Sequence, residues 1–285
     1  MQDTKNTAPF LRWAGGKRWF TKYIDTFISK CDYVNYHEMF LGSGAVFFAL
    51  SPSKNAYLSD LNQELIDTYS TIKTNPLEVI DELRTYINTK EFYYKIRNKN
   101  FENPIQMAAR FIYLNQTSFN GIYRVNLKGE YNVPYGYRSK SFLDENLLLN
   151  ASKALKNAKL VCTDFFDTKK NIKKGDLVFL DPPYTVSHNN NGFIKYNQTL
   201  FSLDDQVRLN EFIQYIKRKK AYFILTNAAH KTIKDIFDNG DKCIEVARAS
   251  LIGGRKAKRG QVNEYVFTNI PGVNEDELRR KTGSR

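Results

Sequence analysis

Between Leu177 and Ser187 the chain reads LVFLDPPYTVS, so an acid, two prolines and a tyrosine directly follow four apolar residues. Pro182 excludes helical geometry for the residue before it, and neither Pro182 nor Pro183 carries a backbone donor. The Asp181 carboxylate and the Pro182 carbonyl therefore present two acceptors suited to one amino group, and Tyr184 offers a flat face for stacking. The stretch is built to grip an exocyclic NH2 on an aromatic base. Asp-Pro-Pro is also an ordinary turn signal, so this chemistry needs support from elsewhere in the chain.

A second group of residues points to a nucleoside-bearing cofactor. FLGSG, Phe40 to Gly44, falls between an expected strand and an expected helix, where Gly42 and Gly44 let the backbone approach a ligand closely. Asp60 ends the next strand, and a carboxylate there can accept both hydroxyls of a ribose; its plain alternative is to cap the helix beginning near Asn62. WAGGK, Trp13 to Lys17, fails as a phosphate loop, because Leu11 stands where the first glycine belongs and Arg18 follows the lysine. Lys17 can instead meet the carboxylate of a zwitterionic ligand, unless the segment is simply a turn packed by Trp13.

These residues must be held by an α/β framework. Tyr33–Phe40 and Asn55–Asp60 predict strands on either side of a helix starting at Ala45. Lys159–Asp164, Asp176–Asp181 and Ala221–Asn227 predict further strands, with a helix over Leu203–Lys217. Val178, Phe179 and Leu180 suit a central parallel strand that delivers Asp181 at its carboxyl end, where open α/β sheets bind ligands. Cys243–Arg248 and Gln261–Thr268 are expected to pair antiparallel at the sheet edge. From Leu61 to about Asn150 the pattern turns helical and rich in Tyr, Lys and Arg, and then gives SFNGIYRVNLKGEYNVPYG, where Asn120-Gly121 and Lys128-Gly129 mark turns around short alternating strands. The organisation expected is a catalytic domain from residues 1–60 and 151–270, an inserted domain over 61–150, and a polar tail over 271–285.

Composition narrows the partners. The 285 residues include 42% hydrophobic and 14% aromatic side chains, and no apolar run reaches the ~18 residues of a membrane span. The N-terminus lacks a secretory apolar core, and Cys31, Cys162 and Cys243 show no pairing or metal spacing, so a reducing cytoplasm is expected. His37, His188 and His230 lie far apart without ligand spacing, and no metal is expected. Lys plus Arg number 43 against 30 Asp plus Glu, a net charge of +13 that suits a polyanion or a solvated basic face. Ser250–Gly260 carries Arg255, Lys256, Lys258 and Arg259 without an acid, as a phosphate-gathering loop or a plain solvated hairpin loop would. The runs at Lys169–Lys174 and Lys217–Lys220 read as solubilising, with a DNA contact as the alternative.

WAGGK, FLGSG, Asp60, FNGIYRVNLKGEYNVPYG and DPPY, in that order, resemble the Dam family of DNA adenine-N6 methyltransferases, over about Phe10 to Thr268. The likeness is to the subgroup whose cofactor motif precedes the target-recognition domain and whose DPPY follows it. It implies a Rossmann-like methyltransferase sheet with an inserted, mostly helical target-recognition domain carrying a β-hairpin. It also implies S-adenosylmethionine as methyl donor, no metal, and double-stranded DNA as partner, with the target adenine flipped out. By motif, Trp13, Lys17, Phe40, Gly42, Gly44, Asp60 and Asp181 match the cofactor's surroundings, and Asp164 with Phe165 in TDFF meet its adenine. Asp181, Pro182 and Tyr184 match the pocket for the target base. Arg124 and Pro134 match base-reading positions, and Phe119 with Asn120 the pair that intrudes where the adenine leaves the helix.

Those roles agree with elementary chemistry. An adenine amino group is a poor nucleophile until acceptors hold both hydrogens and favour a pyramidal nitrogen. Flipping costs a few kcal/mol, which stacking on Tyr184 and phosphate contacts must offset. Stacking uses the ring face alone, so phenylalanine at position 184 should serve nearly as well. Arg124 and Pro134 point to GATC, although relatives reading GATATC carry similar residues. Two other readings compete: a methyltransferase for RNA adenine or a protein amide, whose motif generally has Asn at the place of Asp181, and a catalytically silent DNA-binding module, against which the intact DPPY, Asp60 and Lys17 argue.

Overall fold

A computed structural model describes residues 7–52, 54–185, 201–249 and 261–273. Its strands are β1 (Tyr36–Glu38), β2 (Ala56–Asp60), β3 (Ala158–Cys162), β4 (Leu177–Leu180), β5 (Tyr222–Ala228), β6 (Lys242–Ala249) and β7 (Gln261–Thr268). They form a seven-stranded sheet in the order β3-β2-β1-β4-β5-β7-β6, the Rossmann-like α/β arrangement that the alternation of strands and helices foretells. Two compact units are formed, Met1–Thr21 with Leu41–Cys162 and Lys22–Phe40 with Thr163–Arg285. Among the described residues no helix is long and apolar enough to cross a membrane.

In the first unit, β2 and β3 run parallel in the register Ala56↔Ala158 to Asp60↔Cys162. The helix Ala45–Leu50 begins directly after the glycine turn. Between the two strands come helices at Gln63–Thr74, Pro76–Arg84, Lys90–Arg97, Pro104–Thr117 and Glu145–Leu155. Their starts are written in side chains: Asn62, Thr89, Asn103 and Asp144 each accept a backbone N–H as N-caps, and Pro76 and Pro104 open their helices where a missing donor is harmless. Pro104–Thr117 buries Ala108, Ala109, Phe111, Ile112, Tyr113 and Leu114, nearly all round its circumference, and so serves as the core of this helical region.

The hairpin departs from expectation. Short alternating strands are not formed over 118–136, only the isolated bridges Ser118↔Tyr135 and Val125↔Tyr131. Asn120 and Gly121 take left-handed backbone, φ 54° and 63°, which turns the chain out of a ladder. Side chains then do what a ladder would: Asn126 Oδ1 accepts from Lys128 N and Glu130 N at 3.0 Å each, and closes the tip.

In the second unit, β4 pairs in parallel with β1 and β5, and β7 lies antiparallel between β5 and β6. The antiparallel edge pair is therefore as expected. β4 is buried throughout; Val178 and Leu180 join Leu209, Phe212, Ile213, Phe223 and Leu225 in the core. The strand expected over Tyr33–Phe40 shortens to three residues, since Asn35 N and Nδ2 both donate to the Asp176 side chain instead of continuing the ladder. Asp176 also meets His37 Nε2 at 2.9 Å in full burial. Burial alone would raise the Asp176 carboxyl, but hydrogen bonds from His37, Lys173 N and Asn35 outweigh it and hold it below the ordinary range.

Candidate active site

The first unit carries the glycine turn. Gly42 and Gly44 both have positive φ, 46° and 63°, as a tight strand-to-helix turn requires. Close approach adds a second constraint, because a Cβ on Gly42 would stand 2.8 Å from Trp13 Cδ1. Asp60 Oδ2 accepts from Gly42 N at 2.9 Å and Oδ1 from Asn62 N at 3.0 Å, so one carboxylate ties the turn to the end of β2. Asn62, and not Asp60, caps the following helix. The helix-cap alternative for Asp60 is thereby replaced by a turn-organising carboxylate at a strand end. Lys17 is only 4% exposed and donates from Nζ to Gly15 O at 3.2 Å.

Two tyrosines that the sequence does not advertise complete this part. Tyr69 donates its hydroxyl to Gly42 O at 3.1 Å, and Tyr123 stacks on Trp13 with ring centroids 5.7 Å apart and an 18° interplanar angle. Tyr123 also donates to Glu64 Oε2 at 2.7 Å. The cradle fits a nucleoside-bearing ligand: bare backbone at Gly42, an indole beside it, and a carboxylate able to accept hydroxyls.

Burial raises the Asp60 carboxyl, with donation from the backbone N–H groups of Gly42, Asn62 and Leu61 pulling the other way. Were ribose hydroxyls to donate to the ionised form, ligand binding would lower this pKa and release protons. Affinity for S-adenosylhomocysteine is therefore expected to rise with pH through the raised carboxyl range and then level off. Asp60→Asn should weaken binding by about 1–3 kcal/mol and flatten that pH dependence. Calorimetry across a pH series checks both; an unchanged dissociation constant would leave Asp60 as a turn brace alone.

The second unit carries the amino-group grip. Asp181 follows β4, half-buried, and Thr226 of β5 donates its hydroxyl to Asp181 Oδ1 at 2.9 Å. Tyr184 donates its hydroxyl to the carboxylate of Glu264 on β7, a side chain with no exposed surface. Behind them a buried polar chain links the elements: Gln206 Nε2 donates to Thr185 Oγ1 at 2.9 Å, and Asn227 Nδ2 to Gln206 Oε1 at 2.9 Å. Thr226, Asn227 and Glu264 escape sequence reading, because nothing local in FILTNA or QVNEYVF separates them from ordinary strand residues, and Gln206 is as inconspicuous on the helix Leu203–Arg218.

Asp164 accepts from Phe166 N at 2.9 Å and from Arg208 Nη2 at 3.0 Å. Phe40 and Phe165 come together with ring centroids 5.4 Å apart, and Phe165 is 3% exposed among Phe201 and Phe212. The Phe165 ring is thus core, which leaves its backbone as the part able to face a ligand.

In the hairpin, Arg124 is exposed and donates from Nε to Asn132 Oδ1 at 2.7 Å, a bond that braces the guanidinium at the surface. Phe119 is half exposed, and its N–H donates to Pro134 O at 2.9 Å. Arg12 passes beneath Gly121, where a Cβ would meet it at 2.5 Å, and donates to Ser118 O at 3.3 Å. Arg255, Lys256, Lys258 and Arg259 lie outside the described residues.

Residues 13–251 match the family described as "D12 class N6 adenine-specific DNA methyltransferase". The chain is 34% identical over 276 residues to Type II methyltransferase M1.LlaDCHI of Lactococcus lactis subsp. cremoris, covering 93% of this chain and 96% of that protein. It is 37% identical over 242 residues to Type II methyltransferase M.MjaIII of Methanocaldococcus jannaschii, covering 77% and 84%. To the DNA adenine methylase of Escherichia coli (strain K12) it is 29% identical over 276 residues, covering 94% and 98%.

Proposed function

Because the chain belongs to the D12 class of N6 adenine-specific DNA methyltransferases, we propose that it methylates N6 of an adenine flipped out of duplex DNA, from S-adenosylmethionine and within GATC. The observation that carries this reading is Asp181: a carboxylate at the end of a buried parallel strand, oriented by Thr226 and followed by two prolines without donors.

S-adenosylmethionine supplies an electrophilic methyl group on a sulfonium. Asp60 accepts the ribose hydroxyls, the Gly42 backbone gives the close approach, and Trp13 walls the pocket, while Lys17 meets the carboxylate. Asp164 and the Phe165 backbone read the cofactor's adenine. Asp181 and the Pro182 carbonyl hold the two hydrogens of the target amino group and direct its lone pair. As the nitrogen gains positive charge, the Asp181 carboxylate is the fixed negative group beside it. Positioning at near-attack distance, roughly 3–3.5 Å, supplies much of the rate. Tyr184 stacks on the flipped base and recovers part of the lost stacking.

In this reading residues 61–150 recognise the target, and 1–60 with 151–270 perform catalysis. Arg124 and Pro134 read base edges, Phe119 and Asn120 occupy the space the adenine leaves, and Arg255, Lys256, Lys258 and Arg259 gather phosphates. The protein acts on DNA in the cytoplasm without a metal. The type II names of two relatives favour pairing with a restriction nuclease. Modification-sensitive sequencing of plasmid DNA from cells expressing the chain tests the proposal. N6-methyladenine at GATC on both strands is expected, and methylation confined to another motif would overturn the assigned site.

A further inference from the structure

Glu264 is a fully buried carboxylate that the amino-group chemistry does not use. It stands on β7 opposite Ala228 of β5, two residues along from Thr226, the residue that holds Asp181. The Tyr184 hydroxyl donates to it. Adjacent strands thus hold the DPPY motif at both ends, Thr226 at the acid and Glu264 at the aromatic ring. Burying a carboxylate is costly unless it is paired and hydrogen-bonded, whereas an apolar side chain would fill the same space without that cost. An apolar contact, however, leaves a tyrosine ring free to swing about χ1. A hydroxyl anchored at the ring's tip stops the swing.

We propose that Glu264 is a positioning residue for the reaction, fixing the Tyr184 ring in the orientation that receives the target base; this rests on the stacking role assigned to Tyr184. The sequence alone suggests that phenylalanine at position 184 is nearly neutral, since stacking needs only the ring face. With its hydroxyl engaged by a buried acid, the ring is instead held from its tip, and Tyr184→Phe loses the anchor while keeping the face.

The test uses the full chain and four variants: Glu264→Met, Glu264→Gln, Tyr184→Phe and Tyr184→Ala. Thermal unfolding and S-adenosylhomocysteine binding establish that each is folded. Glu264→Met and Tyr184→Phe are expected to lower kcat at least tenfold on a GATC duplex, with cofactor binding within twofold of wild type. Both should at least halve the fluorescence rise of 2-aminopurine placed at the target adenine. Glu264→Gln should restore kcat to within threefold, because an amide oxygen accepts the same hydroxyl. If Glu264→Met does not fold, Tyr184→Phe removes the same bond from the other side and decides alone. Wild-type kcat in Tyr184→Phe beside an inactive Tyr184→Ala would overturn the anchoring role and leave stacking intact. Wild-type kcat in Tyr184→Ala would remove stacking and the inference together. A loss in Glu264→Gln as large as in Glu264→Met would show that charge, not an anchored hydroxyl, is what matters, and would also overturn it.

Discussion

Asp181→Ala is expected to abolish methyl transfer, with a fall in kcat on the order of 10³ or more, while duplex DNA still binds. The magnitude comes from removing a fixed polar group from the place where charge develops, which by itself typically costs roughly 10²–10³. Here the charge of the carboxylate is lost as well. DNA binding persists because that affinity has a separate origin in phosphate contacts. Some loss of cofactor affinity is expected alongside, since Asp181 also matches a cofactor-contacting position. Single-turnover kinetics with labelled S-adenosylmethionine, read beside fluorescence anisotropy on the same duplex, separates these effects. Turnover within tenfold of wild type would refute the assignment of Asp181.

Arg124→Ala should have the largest effect on sequence choice. The side chain is exposed, and its Nε is already committed to Asn132 Oδ1, which leaves the two terminal nitrogens to donate elsewhere. Such a fork matches O6 and N7 of guanine, a pairing worth about 1–3 kcal/mol of discrimination. Its loss should relax the motif at one base pair, with the other positions still selective. Were Arg124 to contact only a phosphate, all sequences would weaken alike and the salt dependence would fall by about one ion. Methylation rates on GATC duplexes and on duplexes with the guanine replaced, across a salt series, distinguish the two. Asn132→Ala should produce a weaker form of the same relaxation, because it removes the brace and leaves the guanidinium.

The parts of this site legible in sequence are those whose geometry is local. Asp181 could be placed because an unbroken apolar run identifies a buried strand and two prolines restrict the backbone just beyond its end. Asp60 could be placed because it ends a second strand about twenty residues after the first, with FLGSG between them, as a nucleotide-binding half-fold requires. The supporting residues are different in kind. Glu264 reaches Tyr184 across 80 residues and Thr226 reaches Asp181 across 45, so each contact exists only once the strand order is known. Tyr123 on Trp13 is a similar case, where a ring in the hairpin meets a ring near the start of the chain.

Two expectations about local structure failed for a common reason. The hairpin shows isolated bridges in place of strands, and β1 is three residues long, because Asn126, Asn120 and Asp176 offer the backbone side-chain or left-handed alternatives to a ladder. Alternating hydrophobicity carries no sign of that competition.

The amino group of adenine is expected to receive the methyl group in a sequence-dependent way. The most direct measurement incubates the purified chain with S-adenosylmethionine bearing a deuterated methyl group and duplexes that contain or lack GATC, with mass spectrometry of the digested nucleosides as the readout. Deuterated N6-methyladenine from the GATC duplex alone is the result expected. Label on cytosine, or equal label on adenines of both duplexes, would contradict it.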